Sequence, residues 1–140
     1  MDQKLLTALI ESQPAHTALP QVFYTDEDIY QREIDEIYLK SWIYAGHLSE
    51  IPETGDWFLF EMAGESVIIV RNQDGQVSAL VNVCRHRGSK ICLENSGCSK
   101  KLVCRYHGWS YDLDGGLHSA AHMPDDFDKS TIGLKTVSYT

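Results

Sequence analysis

The sequence predicts a mostly β domain, its strands antiparallel, with helices at the N-terminal end. Three observations lead there. Up to Trp42 the apolar residues recur at helical spacing, and beyond it they gather in short runs rich in β-branched and aromatic side chains. Two of those runs, "SVIIVR" and "VSALVNV", are separated by "NQDGQ", in which Asp74-Gly75 is a strong hairpin signal. Further on, "KLVCR", "HGWSYDL" and "GLHSA" read as short strands, with a turn at Asp114-Gly115-Gly116 between the last two. The expected division is a helical lead-in over residues 1–41 and a β domain over residues 42–140.

Residues 2–12 predict a short amphipathic helix with Leu5, Leu6, Leu9 and Ile10 on one side. A polar, proline-containing connector, "SQPAHTALPQ", leads to "TDEDIYQREIDEIYLKSW". Thr25 is placed to cap this second helix, and Asp26, Glu27 and Asp28 suit the positive end of its dipole. Ile29, Ile34, Ile37, Tyr38 and Trp42 lie near helical spacing and predict one buried face. "DWFLFEM" is the first strand, and the Asp74-Gly75 hairpin follows. "ICLENSGCSK" reads as a polar turn, and the tail "HMPDDFDKSTIGLKTVSYT" as loop and then strand. Trp42, Trp57, Phe58 and Trp109 are expected in the core, and Tyr111 and Asp112 on the surface without a role.

Composition narrows the class. With 140 residues, 43% hydrophobic and 23% charged, the chain is ordinary globular material. No apolar run approaches the roughly 18 residues a membrane span needs, and the N-terminus lacks the pattern of a secretory signal. The expected compartment is the cytoplasm. A net charge of -8 argues against nucleic acid as a partner. The charge is uneven, however: residues 84–107 carry +5 and the rest -13. Arg85, Arg87, Lys90, Lys100, Lys101 and Arg105 form a basic segment suited to docking an acidic protein, if they are more than solvated loop residues.

The chemistry lies in "CRHRGSKICLENSGCSKKLVCRYHGW", residues 84–109. Cys84-x-His86 follows one predicted strand, and Cys104-x-x-His107 interrupts the next pair. Two loops, each offering one thiolate and one imidazole, can hold a metal centre between their tips. A single tetrahedral zinc accepts two Cys and two His. So does a two-iron, two-sulfide cluster with two Cys on one iron and two His on the other. Structural zinc usually pairs like ligands closely, whereas each motif here mixes them, as a two-iron centre requires. Gly88 and Gly108 follow the histidines and allow close approach of backbone N–H groups, and Tyr106, Trp109 and Ser110 are placed to wall the site. Cys92 and Cys98, between the loops, are read as ordinary free thiols in preference to a redox pair.

Cys84-Arg85-His86-Arg87-Gly88 and Cys104-Arg105-Tyr106-His107-Gly108-Trp109 resemble the Rieske motif of the α subunits of ring-hydroxylating and related Rieske non-haem iron oxygenases. The lead-in from Phe23 is similar too, and the resemblance is strongest to enzymes oxidising quaternary ammonium compounds such as glycine betaine. Respiratory Rieske proteins carry an extra disulfide, one cysteine per loop; Gly88 and Arg105 or Tyr106 stand in those places, which points to the lower-potential oxygenase class. The resemblance implies a Rieske-type antiparallel β domain holding a [2Fe–2S] cluster. Cys84, His86, Cys104 and His107 are its implied ligands, with Arg87, Gly88, Tyr106, Gly108 and Trp109 around them. It also implies a catalytic domain with a mononuclear Fe(II) held by two His and a carboxylate, before which this chain is expected to stop, at or short of the last Rieske strand. His16, His47, His118 and His122 build no such triad in sequence. The implied partners are a ferredoxin or flavin reductase as electron donor, the oxygenase catalytic domain, and two further copies in a homotrimer. Alone, the chain is expected to carry electrons and not to activate oxygen. A stand-alone Rieske ferredoxin-like carrier and a zinc-binding structural module are the alternatives.

Overall fold

The computed structural model describes residues 2–139, which form two compact units, one ending at Tyr44 and the other beginning at Ala45. In the first, α1 (Gln3–Glu11) is capped by Asp2, whose carboxylate accepts the Lys4 N–H at 3.2 Å, and none of its residues is buried. A short helix α2 (Val22–Thr25) precedes α3 (Glu27–Glu36). The cap of α3 is Asp26, not Thr25: its Oδ1 accepts the Ile29 N–H at 3.1 Å, while Thr25 closes α2. The helix also stops earlier than the spacing predicts. Ile29 and Ile34 are buried, but after Glu36 the chain tightens into a 3-10 turn, Tyr38–Lys40. This turn breaks the 3.6-residue phase, and Ile37, Tyr38 and Trp42 are exposed, Trp42 by 71%.

The second unit is mostly antiparallel β. One sheet has the order β3-β2-β1-β4, with β1 Asp56–Met62, β2 Glu65–Arg71, β3 Val77–Val81 and β4 Ser96–Cys98. Ala63 and Gly64, both at positive φ, turn β1 into β2 as a two-residue hairpin. Asn72 Oδ1 accepts the N–H groups of Asp74 and Gln76 and shapes the turn into β3. Strand alternation puts Ser66, Ile68 and Val70 of β2 inside. The strand β4 was not expected. Its Gly97 reads as a turn residue, but a Cβ there would lie 2.8 Å from the Trp57 ring, so glycine lets the strand close over the indole.

The other sheet is β5-β6-β7: Leu102–Val103, Ser110–Tyr111 and Leu117–Ser119. The tail joins the two sheets. Leu117 N–H donates to Ile132 O and Leu134 N–H to Gly115 O beside β7; Val81 N–H then donates to Lys135 O and Val137 N–H to Ala79 O along β3. One core runs through both sheets. It includes Trp57, Ile68, Val70, Leu80, Leu102, Tyr111 and Leu113, and it continues into Cys84, Cys104 and Trp109. The candidate site is thus built on the core.

Candidate metal centre

Two loops of the same backbone build form the site. In the first, Cys84 N–H donates to Ser89 O at 2.9 Å and Gly88 N–H to Cys84 O at 3.0 Å. In the second, Cys104 N–H donates to Trp109 O at 2.8 Å and Gly108 N–H to Cys104 O at 3.0 Å. Gly88 and Gly108 have φ of 74° and 73°, a region that side chains resist. The N–H groups of these two glycines turn back to the cysteine carbonyls and close the loops. Within this shared frame the histidines sit one step apart, His86 two residues after its cysteine and His107 three after its own.

The sulfur-bearing residues are in the core, Cys84 at 3% and Cys104 at 2% exposure, and the two histidines are half-buried. The imidazoles meet edge to face with centroids 4.6 Å apart. His86 lies flat on Trp109, 4.8 Å away with planes 9° apart, and Trp109 packs in turn on Phe127. The exposed Tyr106 leans on His107 at 3.8 Å. Burial holds the His107 pKa below the usual imidazole value, and the positive fields of His86, Arg87 and His122 act in the same direction. Arg87 of the first loop thus acts on the histidine of the second.

The donor set can be tested for fit to a metal group. His86 Nδ1 is buried without a hydrogen-bond partner, a costly state for a ring nitrogen that has no metal to bind. Trp109 Nε1 is buried without a partner as well. Among the described residues, no three His, Cys, Asp or Glu side chains gather about one point as a single ion needs. A two-iron centre divides its ligands, two to each metal. Two sulfurs and two imidazoles on facing loops fit that division.

Tyr111 is the site residue that sequence reading misses. It is fully buried; its hydroxyl accepts the Arg85 N–H at 2.9 Å and lies 3.2 Å from Cys84 Sγ. Since Arg85 is the donor in the first contact, the phenolic hydrogen is free to point at the sulfur. Burial, followed by the bond to Cys84, pushes the phenol pKa up. Strand period offers the missed signal, because Tyr111 stands two residues after the buried Trp109 and shares its side.

The other candidates fall outside the site. All four cysteines are free. Burial pushes the Cys92 thiol up to about 11, and the hydrogen bond that the exposed Cys98 thiol donates to the Asp56 carboxylate raises its pKa, so neither is a ready thiolate. Asp112 pairs with Lys101 and lies 3.5 Å from His118 Nδ1. Lys90 is taken up by Glu61 at 2.8 Å. Arg85, Arg87 and Arg105 are exposed, and no carboxylate pairs with them among the described residues.

The family model of the Rieske [2Fe–2S] domain matches residues 41–137. This chain belongs to that family. The Rieske domain is similar to the glycine betaine monooxygenase oxygenase subunit of Pseudomonas aeruginosa, 39% identical over 136 residues, 96% of this chain and 32% of that one. It superposes on naphthalene 1,2-dioxygenase from Rhodococcus sp. with a TM-score of 0.85 at 27% identity, over 97% of this chain and 33% of that one. Against the quaternary ammonium Rieske monooxygenase CntA in complex with L-carnitine the TM-score is 0.76 at 34% identity, over 85% and 34%. The chain spans about a third of the length of these relatives. Among the described residues, no helix is long and apolar enough to cross a membrane.

Proposed function

We propose that this Rieske domain is the electron-transfer part of an oxygenase α subunit, with Cys84 and Cys104 on one iron of a [2Fe–2S] cluster and His86 and His107 on the other. The observation that carries the assignment is the pair of matched loops, which place two core cysteines and two touching imidazoles together with His86 Nδ1 buried and unpartnered. The cluster supplies a one-electron couple, and imidazole ligation makes that couple easier to reduce than an all-thiolate one.

The surrounding residues act on that couple. The Tyr111 hydroxyl withdraws charge from Cys84 Sγ, which favours the reduced state. Trp109 and Phe127 exclude water behind His86. On the open side, Tyr106 beside His107 and the exposed Arg85, Arg87 and Arg105 offer an aromatic anchor within a cationic rim. That surface suits a ferredoxin or flavin reductase with an acidic docking face as donor. The domain passes its electrons to the mononuclear iron of an oxygenase catalytic domain, within a homotrimer, for NAD(P)H-dependent hydroxylation or demethylation. Its similarity to the glycine betaine enzyme and to CntA supports a quaternary ammonium substrate. Its free cysteines suit a reducing cytoplasm.

Anaerobic purification followed by iron, zinc and acid-labile sulfide analysis tests the reading. About two irons and two sulfides per chain are expected, with the low average g-value of mixed His/Cys ligation in the EPR spectrum of the reduced protein. One zinc without sulfide would replace this reading by a structural zinc module.

A further inference from the structure

The two loops share a backbone, but different devices close them at the base. The second is the tip of a hairpin: Leu102 pairs with Tyr111 and Val103 with Ser110, so a ladder fixes both of its ends. The first leaves β3, whose strand partner is β2, and the chain beyond Ser89 runs on without forming a strand against β3. No ladder holds its base.

Asn82 occupies that place. It is fully buried, two residues before Cys84, and its amide makes four hydrogen bonds. Oδ1 accepts the N–H of Ile91 at 3.0 Å and of Cys92 at 2.9 Å; Nδ2 donates to Cys92 O at 2.8 Å and to Ser66 Oγ at 3.1 Å. Both lone-pair positions of the oxygen and both N–H bonds are used. Asn82 also donates its backbone N–H to Ser66 O at 2.9 Å, which anchors it to β2. The amide thus grips the chain just before Cys84-x-His86 and just after it. Its exit partners, Ile91 and Cys92, are themselves buried, so no water can take over these bonds.

We propose that Asn82 is the positioning residue of the first ligand loop: a side-chain amide does for Cys84 and His86 what the β5–β6 ladder does for Cys104 and His107. This rests on the assignment of these four residues as cluster ligands. Loss of the amide leaves the second loop framed and the first free to splay. The disturbance therefore falls unequally, on one cysteine of the first iron and one histidine of the second. A group that only stabilised the fold would lower the melting temperature without that imprint.

The test uses the full chain, purified anaerobically with its cluster, and three variants. Asn82→Asp keeps the acceptor and loses the two donors; Ser66→Ala removes the outermost bond of the amide, together with the Ser66 hydrogen bond to Glu61, and serves if the first variant does not fold. Leu113→Ala, a fully buried core change outside residues 84–89 and 104–109, supplies a protein of lowered stability for comparison. The expected result is that Asn82→Asp loses iron to a chelator roughly 10- to 100-fold faster than wild type, the range for lost outer partners of metal ligands. Its EPR g-values and midpoint potential shift, Ser66→Ala shifts them less in the same direction, and Leu113→Ala keeps the wild-type values. Wild-type g-values and potential in Asn82→Asp, or in Ser66→Ala where only that variant folds, would overturn the proposal. So would equal shifts in Leu113→Ala. A wild-type chain without a Rieske signal would instead remove the ligand assignment, which separates the two failures.

Discussion

The two ligand loops repeat one backbone with two different contents. Each closes the same pair of hydrogen bonds around a glycine at positive φ, and each puts its cysteine in the core. Yet the histidines are one residue out of step, and the first loop alone has Tyr111 against its cysteine. A repeated frame suffices to present sulfur and nitrogen, and side chains from elsewhere make the two halves unequal.

The largest break in the comparison is at the histidines. If each loop supplies one nitrogen to the same iron, His86→Ala and His107→Ala should each abolish the Rieske spectrum, although only His86 stacks on Trp109. Retention of the spectrum in both variants would remove the ligand assignment. Retention in one alone would show that the loops do not contribute equally.

The glycines come next. Nothing lies within 4 Å of a Cβ placed on Gly88, and on Gly108 the nearest atom is Ala121 Cβ at 3.6 Å, an ordinary contact. Among the protein atoms the constraint is φ and not space. Gly88→Ala and Gly108→Ala should therefore cost similar amounts, about 1–2 kcal/mol each in denaturant unfolding. A much larger loss at one of them would mean that the loops are less alike than their hydrogen bonds show.

Tyr111→Phe removes the hydroxyl that only the first loop's cysteine meets and keeps the ring. The cluster potential should fall, because a donor to sulfur stabilises the reduced state more than the oxidised one. Stability should fall by about 1 kcal/mol, since the Arg85 N–H loses its acceptor. Redox titration beside thermal unfolding separates the two effects. An unchanged potential with lowered stability would show that the hydroxyl serves the Arg85 backbone alone.

What sequence could reveal follows from how local each signal is. Strands β1 to β3 were legible because turn chemistry and apolar runs coincide there, and Cys-x-His with Cys-x-x-His was legible because the residue types carry the chemistry. Helix α3 was legible at its start but not at its end, since Ile37, Tyr38 and Trp42 keep helical spacing in a stretch that turns 3-10. Strand β4 was hidden by Gly97, whose reason is the Trp57 ring 40 residues earlier in the chain. Asn82 was hidden for the same cause, and so was the role of Tyr111, of which strand period shows only the burial. A tyrosine in a strand and an asparagine in an apolar run have many uses, and only the distant groups they meet select one.

The smallest expected effect concerns the surface of the two loops. Arg85 and Arg105 occupy the same loop position, next to the cysteine, and both are exposed without a carboxylate partner among the described residues. Rim charges act chiefly on encounter, so Arg85→Gln and Arg105→Gln should slow reduction by an acidic donor by roughly 1.5- to 5-fold, the range of exposed ion pairs. Both should flatten its decline with salt, because one screened attraction is gone. Stopped-flow reduction at several ionic strengths reads both. Slowing by Arg105→Gln alone would place electron entry on the His107 and Tyr106 side, while equal slowing would place the donor across both loops. A wild-type rate independent of salt would remove the acidic docking face altogether, and the arginines would then be solvated loop residues that happen to share a position.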